Sequence, residues 1–317
     1  MPNVRIAVIG AGAFGRNHLR VIHQSQDADL AGILDIDPKR AAEAAAPYGC
    51  PVFQALEELA AKADAAIVAT PTVTHAQVGS RLIELGLDVL VEKPIAQDPA
   101  AARSLLEAAA RCGKILQVGH LERFNPAVIA LESVVGHPLF FEVHRLSEFS
   151  PRSLDVDVVL DLMIHDIDII LSLMRRQPEE IRAAGISILS SKVDIANVRL
   201  QFPGGCIANL TASRVSTERV RKLRLFQPHE YISLDYSRQD AIRFRVKPPM
   251  AIDFAPLPVK KDEPLRLELA GFVESVGTRR PPRVTGEQAL AAIEVAHSIL
   301  GKIKEHSRLV AQGLGAS

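Results

Sequence analysis

Three groupings in this 317-residue sequence have residue types and spacings suited to chemistry. The first is Gly10-Ala11-Gly12-Ala13-Phe14-Gly15, a glycine spacing that allows a tight turn, close backbone approach to a pyrophosphate, and close packing of a helix on a strand. The second is Glu92-Lys93-Pro94, in which a lysine sits between an acid and a proline that keeps it extended. The third is Asp161, His165 and Asp168, at i, i+4 and i+7 in a mostly apolar stretch, which places them on one face of a helix. Loss of hydride from an alcohol carbon requires loss of a proton from its oxygen. Histidine titrates near the working pH of most enzymes, an adjacent acid steadies its charged form, and a lysine steadies a developing alkoxide. His165 with Asp161 and Lys93 supplies those parts, and either His165 or Lys93 can act as the base. A histidine satisfied by core acids would show the same spacing. A divalent metal on Asp161, His165 and Asp168 would need a fourth ligand that the sequence does not offer nearby, so no metal is expected.

The elements needed to position these groups are legible. Val4–Ile9 reads as a strand leading directly into the glycine run, which in turn opens a helical pattern through Leu19 and Ile22. A second strand, Leu30–Leu34, ends at Asp35, where an acid would take the ribose hydroxyls of NAD; a site for NADP would favour a base there, so NAD is expected over NADP. Asp37-Pro38 reads as a helix cap and first helical residue. The alternation continues with a strand at Ala65–Ala69, a helix capped by Thr74, a strand at Val89–Val91, a helix from Asp98-Pro99 to Cys112-Gly113, and a strand at Ile115–Val118. This pattern predicts a doubly wound parallel sheet, an α/β Rossmann domain over residues 1–120. Ligands of such sheets lie beyond the carboxyl ends of the strands. Thr70-Pro71 with His75, Glu92-Lys93-Pro94 and Gly119-His120 all fall at those ends.

Residues 121–317 read differently. Strand-like runs at Phe140–Leu146, Ile181–Ser190, Ile195–Phe202, Cys206–Arg214, Lys222–Phe226 and Tyr231–Tyr236, with a turn at Pro203-Gly204-Gly205, predict a large, mostly antiparallel open sheet. The helix over 158–174 is apolar almost all round and should be buried in this α+β domain. Leu265–Val276 and Ala289–Ile303 read as amphipathic packing helices, and Gly313 to Ser317 as a frayed end.

Composition narrows the function classes. The net charge is zero, with −2 over residues 1–120 and +2 over the rest, which disfavours general nucleic-acid or membrane binding. Tryptophan is absent and aromatics make up 4%, so a bound sugar would be held by hydrogen bonds rather than stacked rings. Cys50, Cys112 and Cys206 are widely spaced, without the pairing of a disulfide framework or zinc site. No secretory signal and no long apolar run is evident, so a cytoplasmic protein is expected.

The glycine run, Ala69-Thr70-Pro71 with His75, Glu92-Lys93-Pro94, Arg123 with Asn125-Pro126, and Asp161-x-x-x-His165-x-x-Asp168 together resemble the Gfo/Idh/MocA oxidoreductase family. The resemblance implies an NAD(P)-dependent dehydrogenase acting on a sugar CH–OH group. It implies catalytic Lys93, Asp161 and His165, and cofactor contacts along Gly10, Gly12, Ala13, Phe14, Gly15, Asp35, Thr70, Pro71, His75, Glu92 and Lys93. Many relatives carry glycine between the aspartate and histidine; here the stretch is Leu162-Met163-Ile164, which would reshape the pocket. The Gly119–Pro126 and Asp161–Asp168 patterns are most similar to a bacterial branch that oxidises carbon 3 of UDP-N-acetylglucosamine before amination, in lipid A precursor synthesis. A free polyol or aldose remains an alternative substrate, and a non-catalytic NAD-binding sensor an alternative role. Arg123, Asn125 and Arg214 are expected substrate contacts beside Lys93, Asp161 and His165. The basic run Arg214, Arg219, Arg221, Lys222, Arg224 would suit a diphosphate or merely guard a strand edge. An apolar sheet face left over by this fold would meet a second copy, giving a dimer or tetramer.

Overall fold

The computed structural model describes residues 3–149, 156–189, 191–247, 249 and 251–313. The first unit opens with β1 (Val4–Ile9), α1 (Ala13–Gln24), β2 (Ala28–Leu34), α2 (Pro38–Ala45), α3 (Leu56–Ala60), β3 (Ala65–Val68), α4 (His75–Glu84), β4 (Asp88–Glu92), α5 (Pro99–Cys112) and β5 (Leu116–Gly119). Its five strands pair in parallel in the order β2-β1-β3-β4-β5. β3 and β4 are buried along their whole length, as expected of interior strands covered on both faces. Local chemistry sets the helix starts. Asp37 accepts from the Lys39 and Arg40 amides, and Asp98 from that of Ala101, each followed by proline at the first helical position. Thr74 does not cap α4 as expected: its hydroxyl is turned to the Pro71 carbonyl and the Thr70 hydroxyl, both at 2.8 Å, at the end of a short 3₁₀ turn.

The second unit contains α6 (Pro126–Glu132), β6 (Phe140–Glu148), a π-helical turn (Val159–Met163), α7 (Ile164–Met174), β7 (Glu180–Ile186), β8 (Ile195–Gln201), β9 (Ile207–Ser216), β10 (Val220–Gln227), β11 (Glu230–Asp235), β12 (Asp240–Lys247) and β13 (Ala251–Pro256). These strands form one eight-stranded sheet, β13-β12-β11-β10-β6-β9-β8-β7, antiparallel except for the β6–β9 pair. Its core joins Phe141, Leu210 and Leu223 from strands to Ile167 and Ile170 of α7 and Val128 of α6. The strands β12 and β13 were not foreseen; charged and exposed residues mask their alternation. The strand expected to reach Ser190 ends at Ile186, and Ser190 itself lies outside the described residues.

The chain then returns. α8 (Pro264–Thr278) belongs to the first unit, and α9 (Gly286–Gly313) begins there and continues in the second. The compact units are 1–124 with 263–290, and 125–262 with 291–317, so a single cut near residue 120 omits the returning segment. Leu265, Leu269 and Phe272 of α8 pack into the same core as Ile6, Val8 and Leu19. Of the C-terminal residues expected to fray, 314–317 lie outside the described residues, while Gly313 still closes α9.

Candidate active site

In the first unit the strand order 2-1-3-4-5 reverses direction between β1 and β3, and the loops after these strands carry the first motifs. Gly10 has φ +102°, and a Cβ there would come within 2.5 Å of the Ala69 carbonyl oxygen at the end of β3. A Cβ on Gly15 would stand 1.8 Å from the Gly10 carbonyl oxygen, so only glycine lets α1 start this close to the loop. At Gly12 a Cβ would meet nothing within 4 Å. Open space there, above exposed Gly12, Ala13 and Phe14 at an uncapped helix start, is the cradle a pyrophosphate requires. Asp35, at the end of β2, accepts from the Ala11 amide at 2.6 Å and the Asp37 amide at 2.9 Å. Its carboxylate therefore braces the glycine loop from the carboxyl end of β2. These residues fit a bound dinucleotide.

Histidine 75 is buried, its ring nitrogens 2.8 Å from the Pro94 and Thr70 carbonyl oxygens. It is a strut between the loops after β3 and β4, and its expected cofactor contact would have to be made through the loops it holds. Lys93 is half-buried and its peptide bond to Pro94 is cis. Glu92 points inward: its carboxylate lies 2.8 Å from His18 Nε2 and accepts from the Lys93 amide at 3.3 Å. Gly119 of the neighbouring strand makes room, since a Cβ there would be 3.0 Å from Glu92 Oε2.

Sequence reasoning missed the partners beneath this strand end. His18 on α1, Glu92 and Glu268 on α8 are all buried, and their ligand-type atoms lie within 4.8 Å of one another. Burial, and then the charge of Glu92, push the Glu268 carboxyl well above the usual carboxylate range. His18 was hidden in the periodicity of α1, and Glu268 lies 176 positions beyond Glu92 on a helix read as mere packing.

In the second unit, Asp161 falls on the π-helical turn and His165 on the first turn of α7. The expected continuous α-helix over 158–174 is thus corrected: a wider turn precedes His165, and such turns recur at functional sites. Asp161 and His165 are half-buried, whereas Asp168 is 2% exposed, so the three do not share one environment. Beside them Asp166 forms a two-pronged ion pair with Arg145 of β6, at 2.7 and 2.8 Å, both side chains buried, with the guanidinium 4.9 Å from the Tyr236 ring centre. Nothing in the sequence spacing linked these two residues.

Other expected substrate contacts have structural duties. Asn125 caps α6 through the Ala127 amide and donates to the Tyr236 carbonyl, and it is 3% exposed. Arg123, in the first unit, is 6% exposed, and its carbonyl accepts from Arg283. Arg214 is buried against Asp194 at 3.6 Å and donates to the Val156 and Val193 carbonyls. The rest of the basic run lies on or beside β10, which is flanked by β6 and β11; the strand-edge reading is therefore corrected. Arg224 is paired with Glu142 of β6 at 2.7 Å.

Comparison with known proteins agrees with this architecture. Residues 4–120 match the oxidoreductase family model with an NAD-binding Rossmann fold, and residues 127–227 match the GFO/IDH/MocA C-terminal domain. The chain is 34% identical over 301 residues to the UDP-N-acetylglucosamine 3-dehydrogenase of Acidithiobacillus ferrooxidans, covering 92% of this chain and 96% of that one. The chain belongs to the Gfo/Idh/MocA oxidoreductase family. A solved structure of that Acidithiobacillus enzyme superposes with a TM-score of 0.91 at 32% identity, over 96% of this family member and 99% of the other. An inositol 2-dehydrogenase of Rhizobium meliloti is 25% identical, covering 96% of this chain and 98% of its own. The Rossmann unit makes this family member an NAD-binding oxidoreductase. Among the described residues no helix is long and apolar enough to cross a membrane.

Proposed function

We propose that this oxidoreductase uses NAD to oxidise carbon 3 of UDP-N-acetylglucosamine, or a close UDP-linked N-acetylamino sugar, supplying a ketone for transamination toward lipid A type precursors. The observation that carries this reading is the similarity, along nearly the whole of both chains, to a dehydrogenase of that name. The retained Lys93, Asp161 and His165 support turnover over a sensor role, since a sensor needs no proton acceptor. NAD is favoured over NADP by the carboxylate of Asp35, which would meet the ribose hydroxyls and repel a 2′-phosphate. Residues 10–15 would hold the pyrophosphate, and bound NAD supplies the hydride acceptor.

The protein's own residues then handle the proton. His165 takes it from the sugar hydroxyl, Asp161 steadies the imidazolium, and the Lys93 ammonium steadies the alkoxide as it develops. Arg123 and the exposed Arg219 are assigned to the substrate's polar groups, with Asn125 and Arg214 acting through the segments they anchor. A second reading, a polyol dehydrogenase, is favoured by the full-length inositol dehydrogenase relative.

NADH absorbance with UDP-N-acetylglucosamine, free N-acetylglucosamine and myo-inositol separates the readings, with NADP run in parallel. Turnover confined to the nucleotide sugar is expected; preference for inositol or the free sugar overturns the first reading. Cofactor binding with no turnover on any of them would favour the sensor.

We further assign the outer part of the second unit's sheet to contact with a second copy of the chain. Phe226, Tyr231, Phe244 and Phe254 stack across β10 to β13, and Ile252 and Phe254 are 72% and 68% exposed.

A further inference from the structure

Directly behind the strand end that presents Lys93 lies a buried polar trio that the proposed chemistry does not use. His18, Glu92 and Glu268 are 1%, 8% and 1% exposed. Glu92 is satisfied on both oxygens, by His18 and by the Lys93 amide. Among the described residues, neither carboxylate oxygen of Glu268 has a hydrogen-bond partner, nor does His18 Nδ1. Gln117 of β5 donates its side-chain amide to the Glu268 backbone carbonyl, so its Nε2 does not serve the carboxylate. Among the described acids and histidines, His18 from α1 and Glu92 from β4 group with Glu268, with neutral Gln117 from β5 at its backbone; α8 also packs against the turn 121–124, which carries Glu122 and Arg123.

Two like charges this close and this deeply buried cannot both persist; a proton held on one carboxyl removes the conflict. A divalent cation would remove it too, but His18 Nε2 and Glu92 Oε1 are already closed on each other at 2.8 Å, and Glu92 Oε2 is taken by the Lys93 amide. That leaves Glu268 as the one group of the three whose carboxylate oxygens are both open.

We propose that Glu268 is a positioning residue for Lys93, acting through a buried proton that keeps it neutral beside the charged Glu92. With the proton on Glu268, the single negative charge stays on Glu92, which holds the Lys93 amide and the His18 ring. Loss of that proton puts a second charge into the cluster, pushes Glu92 off its partners and loosens the strand end. The role in turnover rests on the function proposed above for Lys93.

The sign of the pH dependence follows from the raised Glu268 carboxyl. Its contribution to stability is fully present below the ordinary value of 4.5 and is lost as pH rises through the folded-state value. Glu268→Gln keeps the shape and cannot ionise. Its thermal midpoint relative to wild type should therefore climb as the pH is raised above the ordinary carboxylate value. In the same variant kcat at neutral pH stays within about threefold of wild type and the alkaline fall in kcat is reduced, whereas Glu268→Ala loses tenfold or more in kcat with KM little changed, on the order expected when a reacting group is misplaced. Parallel midpoint-against-pH curves for wild type and Glu268→Gln overturn the proposal. So does stabilisation of the wild type by stoichiometric zinc or manganese that a chelator reverses. If the variants do not fold, infrared difference spectra of the wild type decide: a protonated-carboxyl C=O band lost on raising the pH is expected, and its absence overturns the proposal. The stability and infrared measurements need no substrate, so they decide the question even where the assignment of substrate fails.

Discussion

His165 and Asp161 are half-buried on a π-turn and the helix start that follows it, a setting in which a side chain can reach a ligand while its backbone stays fixed. His165→Ala should abolish turnover and leave NAD affinity within about twofold, measured by fluorescence titration, because general-base removal acts on the chemical step. Unaltered turnover would remove it as the base. Asp35→Ala should weaken NAD by at least about tenfold and lower stability slightly, since the charge-assisted bonds to the Ala11 and Asp37 amides go with it. Substrate affinity should change far less; equal losses would place the ribose elsewhere. Cys206 is 3% exposed and burial pushes its thiol up to about 11, so thiol reagents should label it only as the protein unfolds. Labelling of the native protein at the rate of a free thiol, read by mass spectrometry, would contradict this burial.

Secondary-structure elements carry the next level of constraint. The join of β1 to α1 depends on Gly15, where a methyl group would collide with the Gly10 carbonyl. Gly15→Ala should cost about 1–3 kcal/mol and loosen the dinucleotide loop, giving a lower thermal midpoint together with weaker NAD binding. β6 and α7 are tied by Arg145 and Asp166, both buried. Arg145→Ala strands a buried carboxylate and should cost about 3–5 kcal/mol in denaturant unfolding. The double variant Arg145→Met with Asp166→Leu should recover most of that, because apolar side chains of similar volume carry no desolvation penalty. Failure to recover would mean that the pair sets the geometry of α7 as well as its stability.

For the molecule as a whole, the returning segment and the outer sheet face are the decisive features. α8 places Leu265, Leu269 and Phe272 in the Rossmann core, so a fragment ending near residue 120 lacks part of its own interior. The assignment of a second copy to the aromatic face is tested by Phe254→Glu, placed on the exposed outer strand β13. Analytical ultracentrifugation should show the wild type as a dimer or tetramer and the variant shifted toward monomer; identical sedimentation would move the contact to another face.

Local chemistry made much of this readable in advance. Glycine spacing around β1, proline and aspartate at the starts of α2 and α5, and uninterrupted apolar runs in β3 and β4 all act within a few residues, so the sequence alone determined the parallel sheet and the loops at its carboxyl ends. The same locality made Lys93 and His165 visible as chemical candidates. Pairings across long chain separations were not readable: Arg145 with Asp166, Glu92 with Glu268, and α8 with the first unit. Such partners are chosen by burial, because an ionisable group withdrawn from water must be matched by whatever neighbour packing supplies. The widened turn before His165 also follows from packing, since its apolar residues fit an α-helix equally well. Sequence thus determined which groups could do chemistry, and tertiary packing decided which buried neighbours hold them and which expected contacts became struts.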